Sequence, residues 1–273
     1  MNIDRFFISA SCLLALFLAS CAGKDKKDEQ EMKVREENVT YTGDSVTMHG
    51  YVAYDESREG ARPAVIVVPE WWGLNDHARD RARRLAEMGY IAMAIDLYGE
   101  GKTADNPDSA KKLAIPFYMD PEMTRRRFVA AVDKLKTYSQ TDGSRLAAIG
   151  FCFGGTQVLN MARMGEDLKA VVSFHGGLLG VPADKSLLKA DVLICHGAAD
   201  PMVPQEEVDQ FRNEMDSAGL RYTFKAYEGA THAFTNPNAT AMGEKFNMPI
   251  SYNAAADSAS WNDMQTFFRT IFK

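Results

Sequence analysis

From about Val39 onward, short apolar runs alternate with helical patterns along the chain. Val46 to Ala53 reads as an early strand of the antiparallel kind. Ala64-Val65-Ile66-Val67-Val68 is continuously apolar, as expected of a strand buried on both faces. Strand-length runs recur at Ile91 to Ile95, Leu146 to Gly150, Ala170 to Phe174, Val192 to Cys195 and Thr223 to Tyr227. Helical patterns fill the intervals. Asp76 is placed to cap a helix with Ala78, Ala82, Leu85 and Ala86 on one face and Gly89 at its end. Pro121 opens a second, with Met123, Phe128, Val132 and Leu135 inward. Others run from Gly154 to about Met164, from Glu206 to Ala218 and from Ser258 to Phe272. The last carries Trp261, Met264, Phe268 and Ile271 at helical spacing. Tyr98 to Pro116 has little strand character, and the residues leave open whether it forms a lid or cap over the site.

This alternation predicts an α/β fold: a mostly parallel central sheet with helices on both faces. Such sheets bind ligands beyond the carboxyl ends of their strands. The loops that follow the strands are therefore where chemistry is expected.

The N-terminus follows a different pattern. Arg5 precedes an apolar run from Phe6 to Leu18. That run is short of the roughly 20 residues a spanning helix needs, but it suits the core of a signal peptide. It ends in Leu18-Ala19-Ser20-Cys21, which resembles a bacterial lipobox. The reading is a signal peptide over residues 1–20, a lipidated Cys21 opening a charged flexible tether over 21–38, and one α/β domain over 39–273. A lipid on Cys21 would hold an exported protein to a membrane of the cell envelope without a transmembrane helix.

Composition changes this picture little. The 273 residues are 46% hydrophobic and 25% charged, enough for one sizeable core. A net charge of -6 argues against nucleic acid, whose phosphates call for clustered Lys and Arg. No His or Cys pair has metal-ligand spacing, and no G-x-G-x-x-G follows a strand, so neither metal nor cofactor is expected. Of the four Cys, Cys12 and Cys21 belong to the leader. Cys195 lies in an apolar strand and reads as core. That leaves Cys152.

Gly150-Phe151-Cys152-Phe153-Gly154-Gly155 follows a strand and opens a helix. This is G-x-C-x-G, the Cys form of the nucleophile elbow of the α/β-hydrolase fold. Side chains two residues before and after the Cys would collide across the turn. The helix N-terminus favours thiolate at Cys152, and the Phe153 N–H is positioned to hold a developing oxyanion. In this fold the triad runs nucleophile, acid, His. Asp200 follows the strand Val192 to Cys195, and His232 follows the strand Thr223 to Tyr227. Cys152, Asp200 and His232 are thus the expected nucleophile, orienting acid and general base. His175 and His196 end strands and could touch the site, although structural roles fit them better. His77 reads as a helix-face residue and His49 as a surface one.

Together these segments resemble the dienelactone hydrolase family, also called carboxymethylenebutenolidases. The resemblance also rests on Val68-Pro69-Glu70-Trp71-Trp72-Gly73-Leu74-Asn75, Ala94-Ile95-Asp96-Leu97-Tyr98-Gly99, His196 to Pro204 and Gly229 to Phe234. It implies that Glu70 is a fourth member of the site and hydrogen-bonds the resting Cys152 thiol. Such a bond would disfavour thiolate and slow oxidation of the sulfur. It implies too that the Trp71 N–H completes the oxyanion hole. Trp72, Tyr98 and Phe234 are expected to line the substrate pocket. The chain departs from the family at Asn236, where the family places an Arg that pairs with the Glu and with a substrate carboxylate. Preference for an anionic lactone is weakened accordingly.

The expected activity is hydrolysis of a small ester or lactone through an acyl-thioester. An acyl esterase acting on carbohydrate-derived or other nutrient esters is the alternative enzyme. A non-catalytic small-ligand binding protein on a hydrolase scaffold is the alternative from another class.

Overall fold

The computed structural model describes residues 31–273. The leader, Cys21 and residues 22–30 of the expected tether lie outside the described residues. One eight-stranded sheet organises the domain, in the order β1-β2-β4-β3-β5-β6-β7-β8. Two strands, β1 (Val34–Gly43) and β2 (Val46–Asp55), form an antiparallel hairpin closed by Asp44 and Ser45, both at positive φ. That is the backbone a two-residue turn needs to match strand twist. The antiparallel edge continues where β2 meets β4 (Ile91–Ala94). From there the sheet is parallel through β3 (Arg62–Val68), β5 (Thr141–Phe151), β6 (Ala170–Phe174), β7 (Asp191–Gly197) and β8 (Tyr222–Tyr227).

Successive strand residues face opposite sides, so β3 feeds two cores. Ile66 and Val68 belong to one core with Phe128 and Leu135 of α3 (Pro121–Lys136), Val158 of α4 (Phe153–Arg163) and Phe211 of α5 (Gln205–Ser217). Val65 and Val67 pack with Ala82 and Leu85 of α1 (Asp76–Glu87) and Trp261, Met264 and Phe268 of α7 (Ala254–Ile271). Two further helices, α2 (Pro107–Met119) and α6 (Ala239–Phe246), lie in the segments after β4 and β8.

The structure differs from the sequence reading in four places. β1 begins at Val34, so Val34 to Asn38 belong to the sheet and not to a tether. Glu36, Glu37 and Asn38 are polar because they lie on an edge strand, where charge discourages further pairing. The cap of α1 is Asn75, whose side chain accepts the Ala78 N–H; Asp76 is the first helical residue. The stretch Tyr98 to Pro116, in which no helix was assigned from sequence, contains most of α2, which runs through Pro116 to Met119. Pro116 stands near the helix C-terminus, and the start of α2 is secured by Pro107 and by Asn106, which accepts the Ser109 N–H. The short helix α6 had no signal strong enough to separate it from a loop.

Candidate active site

The strand order reverses at β3. Its successor β4 lies on one side of it and β5 on the other. Crevices form at the carboxyl ends of strands that part in this way. Glu70 and Trp71 follow β3, and Cys152 follows β5.

Cys152 links β5 to α4 at φ 52 and ψ -118. This conformation is strained for a residue with a side chain, and such strain clusters at functional sites. The flanking glycines make it feasible. A Cβ on Gly150 would collide with the Gly154 carbonyl and lie 2.7 Å from the Gly155 nitrogen. One on Gly154 would collide with the Val68 carbonyl and lie 2.6 Å from the Pro69 carbonyl oxygen. Phe153 is the first residue of α4, so its N–H has no partner within the helix. The Tyr98 hydroxyl donates to the Trp71 carbonyl at 2.8 Å and holds the loop that carries the Trp71 N–H.

The loops after β7 and β8 bring Asp200 and His232 together. His232 Nδ1 lies 2.8 Å from Asp200 Oδ2, and Asp200 Oδ1 accepts the Met202 N–H at 2.8 Å. Both side chains are buried. The Nε2 edge of His232 lies within electrostatic reach of Cys152, short of full hydrogen-bond geometry. Burial alone would pull the His232 pKa down. Its interactions with Cys152 and Asp200 outweigh burial and push the value up to about 10. The sulfur therefore has its electrostatic partner in the imidazole.

Glu70 is 2% exposed and makes no hydrogen bond to Cys152 among the described residues. Instead its Oε2 accepts from Asn236 Nδ2 at 2.6 Å. The resting thiol–carboxylate bond implied by the family resemblance is thus replaced by an amide–carboxylate bond. The reason lies in the residue that departs from the family pattern: Asn236 reaches Glu70 but brings no charge. Burial raises the Glu70 pKa from 4.5 to about 7, and the Asn236 bond only partly opposes it. His77 stands 3.8 Å from Glu70, too far for a hydrogen bond. Its own pKa is lowered by burial to about 3, so it is neutral.

This shift has a consequence for stability. Below about pH 4.5 Glu70 is protonated folded or unfolded. Between about 4.5 and 7 the folded state keeps a proton that the unfolded state releases, so stability falls as pH rises through that window. Glu70→Gln, neutral throughout, is expected to be more stable than the parent by up to about 3 kcal/mol at pH 8.5. Urea unfolding should show that gap closing toward pH 4.5. A gap constant with pH would show that Glu70 ionises normally.

His175, which follows β6, carries more of the site than its sequence position suggests. It is fully buried at φ 40. The Cys152 N–H is shared between the Phe174 carbonyl at 3.0 Å and His175 Nδ1 at 3.1 Å, and His175 Nε2 meets Thr235 Oγ1 at 2.8 Å. This is the neutral tautomer with the proton on Nε2, and burial holds its pKa well below the usual range. The Thr235 carbonyl in turn accepts from Arg81, which pairs with Asp257 at 2.9 Å. A buried polar chain therefore ties the Cys152 turn to the loop bearing His232. His175→Leu is expected to lower kcat about 10- to 100-fold with little change in KM, since small misplacements of reacting groups cost that much. His175→Asn keeps an acceptor near Nδ1 and tolerates positive φ, so it should recover most of the rate. Equal losses in both variants, measured by steady-state kinetics, would count against this role.

A cavity of about 520 Å³ opens onto these groups, lined by Glu70, Trp71, Trp72, Cys152, Phe153 and His232 among others. Two residues expected to line it do not. Tyr98 is buried behind Trp71, and Phe234 packs in the opposite core against His175 and Tyr227. In their place α2 and the loop after β7 supply Ile115, Tyr118 and Met202, for which the sequence offered no pocket signal. Cys195 is a buried free thiol within β7, as expected of a core residue.

Comparison with known proteins agrees with this arrangement. "Protein usf" of Aquifex pyrophilus is 30% identical over 236 residues, 85% of this chain and 96% of its own length. An Escherichia coli O157:H7 protein named as a candidate carboxymethylenebutenolidase is 33% identical over 238 residues, 81% of this chain and 82% of its own. Among solved structures, a dienelactone hydrolase-like promiscuous phosphotriesterase from metagenomic libraries superposes with a TM-score of 0.82 at 38% identity. That match covers 88% of this chain and 99% of the other. The family model described as "Dienelactone hydrolase family" matches residues 48–272. With its eight-stranded α/β-hydrolase sheet and a family match across nearly all of the domain, this chain is a hydrolase of the dienelactone hydrolase family.

Proposed function

We propose that the protein hydrolyses a small ester or lactone with Cys152 as nucleophile. The observation that carries the reading is the strained turn at Cys152 beside a His232 that is held by Asp200 and pushed toward its cationic form. Cys152 Sγ attacks the carbonyl carbon, and the oxygen that becomes anionic is met by the N–H groups of Phe153 and Trp71. The alkoxide leaves with a proton from His232, and an acyl-thioester remains. His232 then takes a proton from water, which attacks the thioester and releases a carboxylic acid and the thiolate. Asp200 keeps Nδ1 of His232 protonated throughout. For a lactone the leaving alkoxide stays tethered, and the product is a hydroxy acid.

The test is direct trapping. A p-nitrophenyl ester should release a burst of about one nitrophenolate per chain, and intact-mass analysis should find one acyl group on the peptide containing Cys152. Turnover without any acyl group on that peptide would refute a thioester route. For the location of the protein, Leu18-Ala19-Ser20-Cys21 supports a lipid anchor in the cell envelope. Labelling with a fatty-acid analogue, lost in Cys21→Ala, tests that part.

A further inference from the structure

Three of the seven large apolar side chains that are exposed in the described residues line this one cavity: Ile115 at 45%, Tyr118 at 50% and Met202 at 42%. Lone exposed apolar groups need no explanation, but their convergence on one cavity marks a binding surface. The pattern on α2 makes the same point. Its buried residues Ala110, Ala114 and Phe117 dock the helix on the core. Lys111, Ala114, Ile115 and Tyr118, spaced as neighbours on one helical face, turn a second stripe toward the cavity. Ile115 stays exposed beside the cavity, and Tyr118 meets Phe153 edge-on at the cavity wall with half of its surface open. Deeper in, Trp72, Val203, Met248 and Ile250 continue the apolar wall.

The charges point the same way. Glu70 lines the cavity with only the uncharged Asn236 bonded to it. The Arg81 guanidinium is committed to Asp257 and to the Thr235 carbonyl. A carboxylate brought in with the substrate would lose its water beside an acidic group, and the His232 imidazole that lines the cavity is already committed to Asp200 and Cys152. Lys111 is the one Lys or Arg lining the cavity among the described residues, and it is exposed on α2, where salt screens it.

Resting on the thiol-hydrolase reading above, we propose that the substrate is an uncharged ester or lactone whose acyl part is an apolar chain or ring of several carbons. Ile115, Tyr118 and Met202 receive that group, and the Glu70–Asn236 pair discriminates against anionic substrates. Hydrolysis turns a neutral substrate into a carboxylate, and the same pair favours its departure.

The experiment compares kcat/KM of the full chain at pH 8 for p-nitrophenyl acetate, butanoate, hexanoate and the monoanionic p-nitrophenyl glutarate. Each two-carbon extension of the neutral series is expected to raise kcat/KM about tenfold, as burial of two methylenes would. Hexanoate should exceed glutarate by more than about 30-fold, a gap that Glu70→Gln narrows. In Ile115→Ser and Met202→Ser, both at exposed positions, the hexanoate-to-acetate ratio should fall at least about fivefold. A flat or falling series would overturn the proposal. So would a preference for glutarate that disappears in Lys111→Met. In either case Cys152 would still be acylated and the hydrolase reading would stand. Absence of both turnover and acylation for every ester would overturn the two together.

Discussion

Cys152→Ala is expected to lower kcat for an activated ester by at least about 10,000-fold while leaving the fold unchanged. No other described side chain combines this turn with contact to the cavity and proximity to His232. On the proposed mechanism Cys152, His232 and Asp200 work as a unit, so their losses should not add. The double variant Cys152→Ala/His232→Ala should be no more than a fewfold slower than Cys152→Ala alone. Circular dichroism and thermal melts would show that folding is intact, because Ala at position 152 removes only the thiol. Stopped-flow and steady-state rates provide the check. A Cys152→Ala enzyme within about tenfold of the parent would displace the nucleophile from this residue.

Gly154→Ala is expected to be among the most damaging single-methyl changes in the site. The new Cβ would meet backbone atoms of Val68 and Pro69, at the end of β3, and backbone cannot rotate aside as a side chain can. Overpacking of this kind costs about 3 kcal/mol or more. For a domain of this size that corresponds to a fall in Tm of roughly 6–12 °C. Activity should fall as well, since relief of the clash separates the Cys152 turn from the loop carrying Glu70 and Trp71. Gly143→Ala is the control: it lies in the same strand, β5, but its Cβ would meet only the Lys136 side chain at 3.5 Å or more. Differential scanning calorimetry of the two variants tests the contrast. A Gly154→Ala protein that melts with the parent would show that β3 and α4 can separate at little cost.

Much of this site was legible in the residues, and the reason is local. Gly150 is needed whatever surrounds the turn, because its Cβ would collide with the Gly154 carbonyl that the turn itself brings close, while Gly154 is needed because the end of β3 passes against it. Asp200 and His232 could be found because each strand of a parallel sheet delivers its following loop to the same edge. The apolar runs of β3 to β7 were readable because strands buried on both faces leave no place for polar residues. The edge hairpin was harder, since β1 exposes one face and its Glu36, Glu37 and Asn38 read like linker. Helix α2 was harder still, since Pro116 usually signals a break and here stands near a helix end.

Other features exist only once the chain is folded. Asn236 was visible as a departure from the family, but not as the partner of Glu70, 166 residues away. His175 was one strand-end histidine among several. Its bond to the Cys152 N–H depends on β5 and β6 being neighbours and on a positive φ. Tyr98 and Phe234 looked like pocket residues and are core, while Ile115, Tyr118 and Met202 looked unremarkable and line the cavity. The sequence by itself determined the fold class, the glycine-flanked turn at Cys152 and the order of the expected triad, because these depend on local sterics and on the rules of parallel sheets. The tertiary structure alone decided which aromatic and apolar groups face the cavity and which partner Glu70 keeps. Both depend on distances between segments far apart in the chain, and burial, not residue type, sets the charge that remains there.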